Sequence, residues 1–141
     1  MTEINLLDKY PVANRPIEER GNQITEEHRS VARQFGKDFF DGGRLFGYGG
    51  YGYHPRFWTD TVARFRDHYD LAPDASILDV GCAKGFMIYD FKLLIPDATL
   101  AGIDVSEYAI ENAKQEVNPN MRVANANELT FEDNSFDLVI S

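Results

Sequence analysis

The sequence has 141 residues, 43% of them hydrophobic and 26% charged, with a net charge of -9. That balance suits one packed domain, and the acidic surplus argues against a nucleic-acid backbone or an anionic membrane surface as the main partner. No apolar run approaches the roughly 18 residues of a membrane span, the N-terminal residues lack a secretory pattern, and Cys82 has no second cysteine to pair with, so a reduced, cytoplasmic setting is expected.

Charge divides the chain. Residues 1–70 hold 10 basic and 11 acidic side chains, whereas residues 71–141 hold 4 and 12. Residues 1–24 are polar, contain Pro11 and Pro16 and show no period. They read as an extended arm draped over the rest. Thr25 then caps a predicted helix with Glu26 and Glu27 in its first turn, where the helix dipole favours negative charge. Val31, Phe35 and Phe39 recur as one helical stripe, and Asp41-Gly42-Gly43 stops it. Six of the 11 glycines lie between Gly42 and Gly52, interleaved with Phe46, Tyr48, Tyr51 and Tyr53. Such a stretch turns freely and presents flat rings with polar tips. A further helix is predicted from Pro55, with Trp58, Val62, Phe65 and Tyr69 on its apolar face.

From Ala75 strands alternate with helices. Strands are predicted at 77–80, 99–103, 121–124 and 136–140. Between them lie a helix carrying Phe86, Phe91, Leu94 and Ile95 before Pro96, and one capped by Ser106 that carries Ala109, Ile110, Ala113 and Val117. The fold class is α/β, with a parallel sheet joined by right-handed crossovers.

The first strand runs into Asp79-Val80-Gly81-Cys82-Ala83-Lys84-Gly85-Phe86. A strand, a turn of small residues and a helix bring backbone amides to one point, suited to a nucleotide-like ligand. Asp104 closes the second strand, where a carboxylate can accept from both hydroxyls of a ribose. A dinucleotide fingerprint needs a small residue at the place of Phe86, and no Lys-Ser/Thr pair marks a P-loop. His28, His54 and His68 lack metal-ligand spacing, so no metal is expected. Cys82 reads as a small buried residue.

The segments ILDVGCAKGF, GIDVSEYAIENAK and VANANELTFEDNSFDLVIS together resemble the class I S-adenosylmethionine-dependent methyltransferases over residues 76–141. Residues 25–75, with YGGYGYHPRFW, resemble the N-terminal extension of a bacterial subset of that family. The resemblance implies a Rossmann-like sheet, incomplete at its C-terminus, with residues 1–70 as an arm, helices and Gly/Tyr-rich loop. Residues 71–141 become the half that binds S-adenosyl-L-methionine. It implies methyl transfer to a small-molecule acceptor. Asp79, Gly81, Cys82, Ala83 and Gly85 would surround the methionine part, Asp104 the ribose, and Ile103 and Val105 the adenine faces. Asn125 and Ala126 would meet the adenine edge, where the family commonly has Asp in place of Asn125, and Ser141 would lie near the transferred methyl. Tyr48, Tyr51, Tyr53 and His54 are the candidates for the acceptor side.

The family sheet has seven strands in all, and four are expected here in the order 3-2-1-4. The fourth would keep a bare edge, and the link over 125–136 is too short for a covering helix. Three readings fit: a piece of a longer enzyme, which the burial argument favours; a homodimer closing the sheet; or a non-catalytic ligand-binding module.

Overall fold

In the computed structural model, residues 3–12, 17–48 and 52–141 are described. Four parallel strands form the sheet: β1 (Ser76–Val80), β2 (Thr99–Asp104), β3 (Met121–Val123) and β4 (Leu138–Ile140), in the order β3-β2-β1-β4. This is the Rossmann-like arrangement and strand order expected from sequence. Ile77 lies beside both Leu100 and Leu138, and Gly102 beside Met121. The two-residue period of a strand therefore puts Ile77, Leu100, Met121 and Leu138 on one face.

That face is covered by α4 (Pro55–Tyr69) and α5 (Phe86–Leu94), which pack on each other. Val62, Met87, Ile88 and Phe91 join the strand residues in one buried cluster. Full burial of a side chain such as Phe91 contributes about 2–3 kcal/mol. The approach of α5 to β2 requires glycine at 102: a Cβ there would lie 2.4 Å from Ile88 Cδ1 and 2.9 Å from Cys82 Sγ.

On the opposite face the link from β3 to β4 forms no helix, as its length predicts. Leu78 and Ile103 are nevertheless buried, while Val139 is 56% exposed. Arg122, the register neighbour of Ile103, sets its guanidinium 4.0 Å over Phe131, whose ring meets Phe136 edge-on at 5.0 Å.

Three expectations need correction. Residues 17–23 are not extended but form α1 (Ile17–Gln23), with Glu18 and Glu19 in the favourable first turn. The helix predicted from Thr25 is two helices, α2 (Glu26–Ala32) and α3 (Lys37–Asp41). Thr25 does cap α2, in a box closed by His28, but Phe35 turns left-handed at φ 48° and Gly36 starts α3 afresh. The helix after Ser106, α6 (Glu107–Glu111), ends before Ala113. Asn112 bonds back to the Tyr108 carbonyl, and the Lys114 amide leaves the helical ladder for the Lys84 carbonyl.

The arm does lie over the helices. Tyr10 packs 4.9 Å from the Trp58 ring, and Asp8 accepts from Arg64 Nε at 3.1 Å. Among the described residues no helix is long and apolar enough to cross a membrane.

Candidate functional site

After Val80 the chain makes three left-handed steps within five residues: Gly81 (φ 85°), Ala83 (φ 48°) and Gly85 (φ 74°). Glycine meets such angles without strain, and Ala83 at the centre needs support from its surroundings. That support is explicit. The Gly81 and Cys82 amides donate to the Ile103 carbonyl at 2.8 and 3.0 Å, tying the turn to β2. The Ala83 amide donates to Asp104 Oδ2 at 2.8 Å, and Asp104 Oδ1 accepts from the Ser106 amide at 2.9 Å. Gly85 then opens α5, and a Cβ there would come within 2.6 Å of Met121 Sδ. One carboxylate thus fixes both the turn and the start of α6. A carboxylate offers about four acceptor positions, so Asp104 can still receive two donors.

Asp79 is treated differently. It is buried, and among the described residues no donor reaches its carboxylate. Burial first, and the Asp104 charge second, push its pKa up to about 7. A cationic group placed beside this carboxyl would favour its ionised form. Cys82 is 5% exposed, and burial, Asp79 and Asp104 all push its thiol up, away from nucleophilic use.

Two cavities meet at this turn. The first holds about 300 Å³ between Val80, Gly81, Ala83, Ile103 and Asp104 on one wall and Phe35, Phe39, Phe40 and Tyr48 on the other, with Val105, Ala124 and Ala126 completing it. The second holds about 580 Å³ and shares Tyr48, Val80, Gly81 and Ala83 with the first. It adds Asp79, Cys82, Lys84, the aromatic side chains of Trp58, Phe65, Tyr69 and Phe86, and the end of the sheet from Leu138 to Ser141.

Most sequence-predicted residues therefore converge here, and some do not. Gly85 lines neither cavity; it seats α5 against Met121. Asn125 lies between two cavity-lining alanines, but its Oδ1 accepts from the Asn127 amide at 3.0 Å, within its own loop. Of the acceptor-side candidates among the described residues, Tyr48 alone lines the cavities. Tyr53 turns to Asp90, donating at 2.9 Å, and His54 caps α4 by accepting from the Arg56 amide. Tyr51 lies outside the described residues.

Sequence reasoning missed two elements. Phe35 and Phe39 were legible only as part of a helical stripe and Phe40 was not singled out, yet all three wall the first cavity. Asp41 read as a helix stop, yet its Oδ1 pairs with the Lys84 ammonium and its Oδ2 accepts from the Tyr108 hydroxyl at 2.7 Å. Burial pushes the Asp41 carboxyl up, but Lys84 and Tyr108 together hold it below the usual range. A charged residue inside a turn of small residues, Lys84, was the available signal.

A family model described as a methyltransferase domain matches residues 71–141. Phosphoethanolamine N-methyltransferase 3 of Arabidopsis thaliana is 32% identical over 91 residues, covering 58% of this chain and 18% of the relative. The Triticum aestivum phosphoethanolamine N-methyltransferase is also 32% identical, over 58% of this chain and 17% of its own length. The chain thus spans less than a fifth of the curated relatives it matches. Among solved structures, the MccD protein is 29% identical over 55% of this chain and 37% of its own, with a TM-score of 0.49. The sheet order, the turn between β1 and α5 and the match over half of its length agree: this chain belongs to the methyltransferase domain family.

Proposed function

We propose that the chain binds S-adenosyl-L-methionine and, alone or within a longer protein, passes its methyl group to a small-molecule acceptor. The carrying observation is the left-handed turn from Gly81 to Gly85 held against Asp104 beside a cavity. The fit is good. A cavity of about 300 Å³ has the size of a small-ligand site, with aromatic walls and few polar groups. Asp104 retains acceptor capacity for ribose hydroxyls. Ile103, Val105, Ala124 and Ala126 offer apolar faces to an adenine. Asp79, buried with no donor among the described residues, suits the ammonium or sulfonium of the methionine part.

The cofactor, when bound, supplies an already activated methyl group. The chain's contribution is to hold donor and acceptor in line, which supplies up to roughly 7–11 kcal/mol in favourable systems, and to exclude water. The second cavity supports a small acceptor: it adjoins the turn, and its Trp58, Phe65 and Tyr69 rings suit an apolar or cationic body. The relatives named for phosphoethanolamine make a small amine the first acceptor to try.

Titration calorimetry with S-adenosylhomocysteine tests the reading, after the mass in solution has been measured. Saturable one-to-one binding is expected. A folded chain that takes up neither S-adenosylhomocysteine nor S-adenosylmethionine would sink it. Labelled methyl transfer to phosphoethanolamine and related small amines then tests the acceptor class.

A further inference from the structure

Lys84 brings a cation into a site that would hold a cation. Lys84 sits within the turn itself and is among the residues lining the second cavity with Asp79 and Gly81, and its side chain is 6% exposed. S-Adenosylmethionine bears a positive sulfonium, whereas S-adenosylhomocysteine bears a neutral sulfur in the same frame. An ammonium on this turn opposes the first ligand and spares the second, and a carboxylate paired with it offsets that effect. Asp41 is such a carboxylate. It reaches the turn from α3, across 43 residues of sequence, pairs with Lys84 and is itself anchored by Tyr108 of α6.

We infer that Asp41 is a positioning residue of the cofactor site, which neutralises Lys84 so that the turn accepts a sulfonium as readily as a neutral thioether. The inference rests on the S-adenosylmethionine reading above and extends it to the N-terminal segment, which the family match does not reach. Asp79 and Asp104 also line the two cavities and the Lys37 charge acts on Asp41; all three stay in place in the variants used. Asp41→Asn keeps an acceptor for the Tyr108 hydroxyl, removes the charge and exchanges the oxygen that faces Lys84 for an NH₂ group.

The test is the ratio of the two dissociation constants, measured by calorimetry at one pH and ionic strength on variants shown by thermal melting to be folded. Asp41→Asn should weaken S-adenosylmethionine roughly five- to thirtyfold, the size of one negative charge removed near a partly buried site. S-Adenosylhomocysteine should weaken less than about threefold, as a neutral change in the same frame. Adding Lys84→Met to Asp41→Asn should return the ratio to its starting value. Lys84→Met alone should move it the other way, toward S-adenosylmethionine.

Equal weakening of both ligands by Asp41→Asn would overturn the inference and leave Asp41 a purely structural tie. A ratio that the double variant fails to restore would overturn it too. If the unaltered chain binds neither ligand, the cofactor reading itself fails, a different result from an unmoved ratio.

Discussion

The first cavity has two walls of different construction. One is backbone: Gly81 and Ala83 held by the Ile103 carbonyl and the Asp104 carboxylate at the end of the sheet. The other is side chain: the rings of Phe35, Phe39, Phe40 and Tyr48, carried by the short helix α3 and the residues around it. The backbone wall shares its hydrogen bonds with the fold, so damage there costs stability and binding together. The aromatic wall stands on ring contacts and a few polar links to the other half: the Lys84–Asp41 pair and the Ser106 hydroxyl, which donates to the Phe35 carbonyl. Change there should alter affinity more than folding.

The largest effect is expected at Gly85. Its φ of 74° disfavours any side chain, and a Cβ would press on Met121 Sδ and lie 3.0 Å from Val117 Cγ2. Gly85→Val should destabilise by roughly 2–4 kcal/mol through backbone strain and overpacking, read as a lower urea midpoint with unchanged slope. A loss below about 0.5 kcal/mol, the range of an ordinary surface change, would mean the turn relaxes freely and the contrast between the walls is wrong.

Next comes Asp104→Asn. Both carboxylate oxygens accept backbone amides, so the amide side chain must turn its own NH₂ toward one of them. Leaving that buried donor unpaired should cost about 1–3 kcal/mol of stability without any ligand. The same change should weaken S-adenosylhomocysteine about tenfold or more. Unaltered affinity in a folded variant would place the ribose elsewhere.

These two residues also show what a sequence can disclose. The strand, the small-residue turn and the carboxylate at the next strand end are local patterns, and Gly81, Ala83 and Asp104 were singled out from them; the order β3-β2-β1-β4 came from the family resemblance. The aromatic wall followed from neither. A stripe at Val31, Phe35 and Phe39 is the same text whether one helix or two carry it, and only the left-handed Phe35 before Gly36 re-aims the later rings. The Asp41–Lys84 pair joins residues 43 apart in sequence, and its one local trace is a charged residue in a turn of small ones. For Asn125 the position was readable but the direction was not: a short side chain in a turn competes for its own backbone, and it bonds to Asn127 rather than facing the cavity.

A smaller, pH-dependent effect belongs to Asp79. Its carboxyl ordinarily titrates near 3.8 and is raised to about 7, by burial first and then by Asp104. Between those values the folded chain binds a proton that the unfolded chain has released, so stability falls as pH rises from about 4 to 7 and levels off above. A cationic ligand prefers the ionised carboxylate, so affinity for S-adenosylmethionine should rise with pH up to about 7, at most tenfold per unit. Its neighbours there are Asp104, Cys82 and the Tyr48 hydroxyl. Asp79→Asn should remove the slope in both melting and calorimetry. A slope that survives the substitution would assign the titration to another group.

The smallest effect separates two roles for Tyr48, the ring at which the cavities meet. Burial, then Tyr10, Asp79 and Asp104, push its hydroxyl above its usual pKa. It therefore stays protonated at neutral pH: a donor, unsuited to taking a proton from an acceptor. Tyr48→Phe keeps the ring in contact with Phe39 and Phe40 and removes only the hydroxyl. Stability should change by less than about 0.5 kcal/mol, and affinity for S-adenosylhomocysteine by no more than one neutral hydrogen bond, about tenfold. If a methyl acceptor is found, kcat should stay within that range. A fall of roughly 10²- to 10⁴-fold, the contribution of a general base, would show instead that the aromatic wall performs chemistry as well as shaping the cavity.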